Sequence, residues 1–374
     1  MCHGGADNLL EGGFMQKRIA CILFFLMLFS GCGAEETSQN YDFSVTPFYT
    51  DEPHELGPRP DVYGDTVVCY GQYKYLINDR GGNDDAKDGT DEYVSGNVIL
   101  KDVLSGKETE LNIFADKTYI YDGELYYQSG YQICRMNLET GENMELFTVG
   151  ENPASFSFGG EGFLIYWAGD SDLSDIKIYS YNIEKEKTTL IAETNYLSGP
   201  YHRFKIREGY LCFAKEENET YTLYGADVGT GKTIKITEGI PSDPNQMVYN
   251  GSTLLYTTAS GTHVLRDGSS EEFLLEGTRT DCDILENRYI FYFNDRQLYI
   301  YDMTNETVVY TTAEELKDFR LCQWLSLDTE NKKAAFLGWN DQLAEELYPD
   351  WGYETGPDFV YLLQIREVYV PSKS

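Results

Sequence analysis

The sequence predicts an all-β protein, a β-propeller of about seven four-stranded blades. Three observations lead there. The chain of 374 residues carries 31 Tyr and 19 Phe, and aromatic rings suit the pleated, half-buried surface of a sheet. One unit recurs along the chain: an apolar-alternating strand that runs into a turn opened by Asp or Asn. Those turn residues, Asp102, Asn137, Asn182, Asp227, Asp267 and Asp302, lie 35, 45, 45, 40 and 35 residues apart. Self-similarity at a period near 40, with several strands per unit, is the mark of a propeller.

In chain order, the first element is a leader. Lys17 and Arg18 precede an apolar run from Ile19 to Phe29, followed by Ser30-Gly31-Cys32. A charged start, a short apolar stretch and a small-residue site make an export signal, and the run falls short of the about 20 residues of a membrane span. Phe29-Ser30-Gly31-Cys32 resembles the lipobox of bacterial lipoproteins, with Phe where Leu is usual and Leu28 one place earlier. The resemblance implies that residues 1–31 are removed, that Cys32 is acylated, and that the protein sits outside the cytoplasm, held on the cell membrane by its lipid. A plain secretory signal is the rival reading. Met15 is a better start than Met1, because the codons for Glu11-Gly12-Gly13 can spell a purine-rich ribosome-binding sequence just upstream of it. The polar residues that follow, with prolines at 47, 53, 58 and 60, make 32–60 a lipidated tether with one strand at Tyr41–Val45.

Residues 61–371 are the propeller. Its units contain DTVVCY from Asp65, GELYY from Gly123, GFLIYW from Gly162, GYLCF from Gly209, STLLY from Ser252, RYIFYF from Arg288 and KAAFLGW from Lys333. After each of the first six comes the strand that ends at an Asp or Asn turn, and FVYLLQI at 359–365 pairs with the seventh. Residues 61–371 divided by seven give about 44 residues per blade, the usual period. A lone blade cannot bury both faces, so blades pack radially around a channel. Paired sandwiches do not produce this spacing, and solenoid repeats are shorter. The Leu-Tyr-Tyr-rich units resemble the TolB-like propellers of bacterial surface lipoproteins over most of the mature chain. They are WD-repeat-like in period, but the Gly-His…Trp-Asp signature of WD repeats is absent.

Charge narrows the partners. With 62 acidic and 29 basic residues, a net charge of −33, the surface repels phosphate backbones, so nucleic acid and anionic membrane surfaces are poor partners. Cations, basic proteins and neutral sugars remain. Cys2 and Cys21 leave with the leader. Cys69, Cys134, Cys212, Cys282 and Cys322 each sit in an apolar run with no CxxC among them, and are expected as buried free thiols.

Motifs of catalysis are missing. Ala226 to Thr233 nearly spells a phosphate loop, but Ala226 replaces its first Gly and the residues after Thr233 alternate like a strand, so a hairpin turn is expected. Ser174 and Lys177 have the SxxK spacing without its partner motifs. No GxSxG or HExxH occurs, and His54, His202 and His263 have no spacing suited to a metal or a nucleophile–base pair. In the segment from Asn83 to Glu92, Asp84, Asp88 and Gly89 match positions 1, 5 and 6 of a calcium loop, although Ala86 and Ser95 break it. Asp84, Asp85 and Asp88 are therefore candidate calcium ligands, and no other cofactor is indicated.

Topology adds a candidate face. With blade strands lettered A to D from the channel outward, B–C and D–A connections share one face, and A–B and C–D turns the other. The Asp/Asn turns are short C–D turns. The long segments are B–C loops at 78–96, 167–175, 214–220 and 338–358, joined by the D–A stretch 193–203. Long loops on a rigid scaffold are where binding concentrates. This face is expected to carry Trp167, Tyr196, Tyr201, His202, Trp339, Tyr348, Trp351 and Tyr353 among carboxylates, a mixture suited to sugars, cations or a protein. The expected function is a membrane-anchored extracytoplasmic binding or scaffold module for a protein, peptide or glycan. The alternative is a carbohydrate-active hydrolase or lyase using paired carboxylates; a quinone-cofactor dehydrogenase would need repeated Trp docking motifs, which are absent.

Overall fold

The structure is a computed structural model that describes residues 39–48, 61–77, 92–115, 117–149, 154–170, 174–197, 204–266, 272–276, 281–295, 297–313, 319–340 and 359–369. The chain divides into two compact units, residues 43–365 and residues 1–42 with 366–374. The first is the propeller. In the second, the described residues are the outer ends of two strands.

All regular structure among the described residues is β. Strand β1 (Gln39–Phe48) comes first. Blade 1 follows with β2 (Asp61–Tyr63), β3 (Thr66–Ile77), β4 (Glu92–Asp102) and β5 (Glu108–Ala115). Blade 2 is β6 (Thr118–Tyr121), β7 (Glu124–Ser129), β8 (Gln132–Asn137) and β9 (Asn143–Thr148). Blade 3 is β10 (Ala154–Gly160), β11 (Phe163–Gly169), β12 (Ile176–Asn182) and β13 (Lys187–Thr194). Blade 4 is β14 (Tyr210–Glu217), β15 (Thr220–Asp227) and β16 (Thr233–Ile240). Its innermost place is taken by Phe204–Arg207, joined to the sheet by an antiparallel bridge between Arg207 and Tyr210. Blade 5 is β17 (Met247–Tyr249), β18 (Thr253–Thr258), β19 (Gly261–Arg266) and β20 (Glu272–Glu276), and blade 6 is β21 (Cys282–Leu285), β22 (Tyr289–Asn294), β23 (Gln297–Asp302) and β24 (Thr307–Thr311). Blade 7 is β25 (Phe319–Asp328), β26 (Lys333–Asn340) and β27 (Phe359–Tyr369), with β1 as its outermost strand. The seven blades form a ring. The seven strands read from the sequence, DTVVCY to KAAFLGW, fall in the B strands, and FVYLLQI is the C strand of blade 7.

The core lies between blades, and strand alternation explains it. Successive side chains point to opposite faces, so Leu125 and Tyr127 pack with Val68 and Val98 of blade 1 while Tyr126 packs with Leu164 and Tyr166 of blade 3. Ile165 faces Leu211 and Phe213 of blade 4. Leu254 faces blade 4, and its neighbour Leu255 faces Ile290 and Tyr292 of blade 6. B strands buried on both faces read as continuous apolar runs, which is why they stood out. The ring closes where Val62, Val67 and Ile99 of blade 1 pack on Ala335, Leu337 and Leu362 of blade 7. The strand expected at Tyr41–Val45 is present as β1, and its Phe43 lies edge-on to Tyr289 at 5.7 Å and to Phe291 at 6.4 Å.

The recurring Asp and Asn residues open C–D turns by accepting backbone N–H bonds. Asp102 Oδ1 accepts from Ser105 (2.7 Å), Asn137 Oδ1 from Thr140 (2.8 Å), Asn182 Oδ1 from Lys185 (2.8 Å), Asp227 Oδ1 from Thr230 (2.8 Å) and Asp302 Oδ1 from Thr304 (2.8 Å). The near-phosphate-loop is thus a hairpin turn between β15 and β16. Asp267 lies outside the described residues. The segment 214–220 is not a long loop: β14 and β15 meet in a two-residue turn at Asn218-Glu219, with Glu217 paired to Thr220. Its run of charged residues is the solvent side of an extended hairpin rather than a loop. Cys134, Cys212 and Cys282 are buried free thiols; burial pushes all three thiols up from their ordinary values. The side chains of Cys69 and Cys322 are outside the described set.

Candidate functional site

The A–B turns build one face of the ring. Asp122-Gly123, Glu161-Gly162, Glu208-Gly209 and Glu286-Asn287 all have positive φ at both positions, 50° and 75°, 51° and 77°, 52° and 78°, and 52° and 48°. In the first three that is the backbone of two-residue hairpins whose twist matches the strands, and in the fourth Arg288 adds a third residue to the turn. In each, the first residue is acidic. These turns and their neighbours link every adjacent pair of blades. Tyr63 Oη donates to Thr118 O (2.7 Å), and Gly162 N donates to Tyr119 Oη (3.1 Å). Glu161 accepts Glu208 N at 2.8 Å and Gly209 N at 2.7 Å, one on each carboxylate oxygen. Asn250 Nδ2 reaches Glu208 Oε1 at 3.5 Å, Thr253 donates to Asn287, and Lys332 pairs with Glu286. Asp328 Oδ2 accepts Gly64 N at 2.6 Å, and Lys333 donates to Gly64 O at 3.0 Å, which ties blade 7 to blade 1. Turn N–H groups are otherwise orphan donors; here the neighbouring blade satisfies them.

A cavity of about 540 Å³ opens among these turns. Its walls include Tyr63, Tyr119 and Tyr121, its acids are Asp122, Glu161, Asp328 and Glu330, and Arg207 and Ser326 also line it. Tyr119 and Tyr121 stack at 6.1 Å and 21°, and Tyr63 meets Tyr119 edge-on at 5.6 Å. Gly159 makes room for this wall, since a Cβ there would stand 2.1 Å from Cγ of Tyr119. Burial pushes the Tyr119 phenol up, with Tyr121, Glu161 and Asp328 adding to the rise.

Behind Arg207 a charge network crosses the channel. Arg207 forks onto Asp283 (Nε–Oδ1 2.7 Å, Nη2–Oδ2 2.5 Å) and donates from Nη2 to Leu327 O at 3.3 Å. Lys205 Nζ reaches Asp281 Oδ1 at 2.8 Å, Asp283 Oδ2 at 3.4 Å and Cys282 O at 2.8 Å. Asp281 Oδ2 accepts Leu325 N at 2.9 Å. Blades 4, 6 and 7 are thereby tied through side chains that are all nine-tenths or more buried. Desolvation pushes the Asp283 carboxyl up, but the cations Arg207 and Lys205 outweigh it and hold it below the usual range. Desolvation likewise opposes the charge on Lys205 and Arg207, and the facing aspartates raise both above their ordinary values.

Of the residues expected at the long-loop face, Trp167 and Tyr196 have described side chains. Trp167, expected to face a ligand, is 4% exposed and belongs to the core between blades 3 and 4. Its place mid-strand in β11, where the outer face is covered by the next blade, buries it. Tyr196 packs edge-on to Tyr221 at 4.8 Å and donates to Asp243 and to Pro244 O at 2.9 Å. Trp339 is in β26, opposite Leu321, with its side chain outside the described set. Tyr201, His202, Tyr348, Trp351 and Tyr353 lie outside the described residues, as do Cys32 and the candidate calcium ligands Asp84, Asp85 and Asp88. Among the described residues no group of three or more His, Cys, Asp or Glu is placed to hold a metal. Ser174 is held by Asp170 (Oγ–Oδ2 2.7 Å), in keeping with a loop role.

Sequence reading passed over Lys205, Arg207, Asp281 and Asp283. A signal was present. Lys and Arg alternate with Ile206 in one segment and the two Asp alternate with Cys282 in another, which puts like charges on one side of two inner strands. Their pairing needed the ring.

No family model matches the chain, and no curated protein sequence matches it. Among solved structures it is similar to the β-propeller domain of the Trilobed protease from Pyrococcus furiosus, at 11% identity and a TM-score of 0.52, over 87% of this chain and 99% of that one. It is also similar to an acylaminoacyl peptidase in complex with a chloromethyl ketone, at 11% identity and a TM-score of 0.52, over 84% of this chain and 52% of that one. At such identity the likeness carries the fold alone: this chain is a seven-bladed β-propeller.

Proposed function

We propose that the protein is an extracytoplasmic binding or scaffold module, lipid-anchored through Cys32, that recognises a protein, peptide or glycan. The observation that carries the reading is the cavity of about 540 Å³ at the A–B turns, concave, aromatic-walled and set in a hydrogen-bonded ring. Rigid elements of this kind hold a recognition surface with little ordering cost. This reading sets recognition at the A–B turns rather than at the loop face, where Trp167 and Tyr196 are engaged in packing and the other six residues have no described side chain. Two of the four acids are engaged in the turns: both oxygens of Glu161 accept turn N–H groups, and Asp328 accepts Gly64 N and Asn331 N. Glycoside cleavage through paired carboxylates, the alternative reading, would therefore fall to Asp122 and Glu330.

The test is a screen against glycan and peptide arrays, repeated with variants on each face. Tyr121→Ala is expected to weaken a ligand about five- to a hundred-fold, as loss of a ring worth roughly 1–3 kcal/mol does, and Trp339→Ala to leave it unchanged. The reverse pattern places the ligand on the loop face. Anchoring has its own test. Cys32→Ala should leave the protein unprocessed or released, whereas the parent partitions into detergent; equal partitioning of the two sinks the lipid anchor.

A further inference from the structure

We propose that the cavity at the A–B turns binds an organic cation, a primary ammonium group on a short stem. The inference rests on the reading of this cavity as the binding site. Charge is the first reason. Among the described residues four carboxylates line it, Asp122, Glu161, Asp328 and Glu330, against one cation, Arg207. Arg207 is already matched by Asp283 through two hydrogen bonds. Lys332 and Lys333, the nearest other cations in the sequence of this turn, are directed to Glu286 and Asp65. An anion entering the cavity meets repulsion, and a cation finds acceptors at its rim, where Asp122, Glu161 and Glu330 are exposed.

The walls supply the second reason. The stacked pair Tyr119 and Tyr121, with Tyr63 edge-on, offers ring edges against which a methylene stem packs and, at Tyr121, a ring face toward which a cation is drawn. The third reason concerns donors. Tyr119 and Ser326 are each 6% exposed. Each hydroxyl oxygen accepts one backbone N–H, from Gly162 and from Val62, and neither hydroxyl hydrogen meets an acceptor among the described residues. Buried hydroxyls normally donate as well as accept. A ligand oxygen a few bonds from the ammonium would complete both, so an amino sugar or the side chain and carbonyl of a lysine fits better than a bare polyamine.

Two pairs of probes test this by calorimetry, each differing at the amine: glucosamine against glucose, and Nα-acetyl-lysinamide against Nα-acetyl-norleucinamide. In at least one pair the charged member is expected to bind about tenfold or more tightly, with affinity falling as salt is raised. The pair that responds tells whether the amine comes from a sugar or a lysine. The double variant Asp122→Asn, Glu330→Gln should abolish that preference at an unchanged melting temperature, since neither carboxylate holds a turn together. Equal binding of charged and neutral members, preference retained in the double variant, or no binding in either pair overturns the ammonium assignment. An array ligand that still depends on Tyr121 would then leave the cavity reading standing; a ligand indifferent to Tyr121 removes that reading too.

Discussion

Asp283→Ala is expected to lower the unfolding free energy by about 3–5 kcal/mol, the usual cost of breaking a buried ion pair from one side. Set against about 5–15 kcal/mol for a whole domain, that threatens the fold. The cause is local. Without Asp283, Arg207 loses both bonds of its fork and Lys205 keeps only Asp281 and the Cys282 carbonyl, while both cations stay buried. Urea denaturation at neutral pH reads the loss. A companion measurement follows from the direction of the shift. Because the folded state holds the Asp283 carboxyl below its ordinary value, its contribution is complete above the unfolded value of about 3.9 and is lost as pH falls through the folded value. Asp302, also held low against desolvation by Arg288, adds to the same acid loss. Asp283→Asn should therefore flatten part of the acid limb of stability against pH. A variant as stable as the parent and with the same acid limb would show that the network across the channel is dispensable.

Removal of residues 314–374 is expected to abolish cooperative unfolding altogether. This deletion takes away three of the four strands of blade 7 and uncovers Val62, Val67 and Ile99 of blade 1, which rest on Ala335, Leu337 and Leu362. Each fully buried aliphatic side chain contributes roughly 1.5–3 kcal/mol. The same cut strips Leu325 N and Leu327 O from the channel network and Asp328 from Gly64. In a closed ring no blade is a free end, so a shortened chain lacks its caps on two sides at once. Calorimetry should show a broad transition or none, and one sharp transition would mean that the blades fold as separable parts.

What the sequence determined by itself is local and periodic. Strand alternation with Tyr and Phe placed the seven B strands and seven C strands, because side chains buried on both faces leave a continuous apolar run that needs no partner to be recognised. Asp102, Asn137, Asn182, Asp227 and Asp302 could be read as turn openers because an Asx side chain bonds to its own backbone two or three residues on. The A strands of blades 4 and 6 were not legible. Lys205, Arg207, Asp281 and Asp283 look like surface charge until two inner strands, 76 residues apart, are brought face to face. The cavity was equally hidden. Tyr63, Tyr119, Glu161, Arg207 and Asp328 come from five different blades, and no spacing along the chain relates them. Trp167 misled for the converse reason: read as the start of a B–C loop it counts as exposed, but it lies inside β11 and the neighbouring blade buries it. Periodicity reports which residues share a strand face. Closing the ring decides what that face meets, since the distances across a channel are fixed by how many blades surround it.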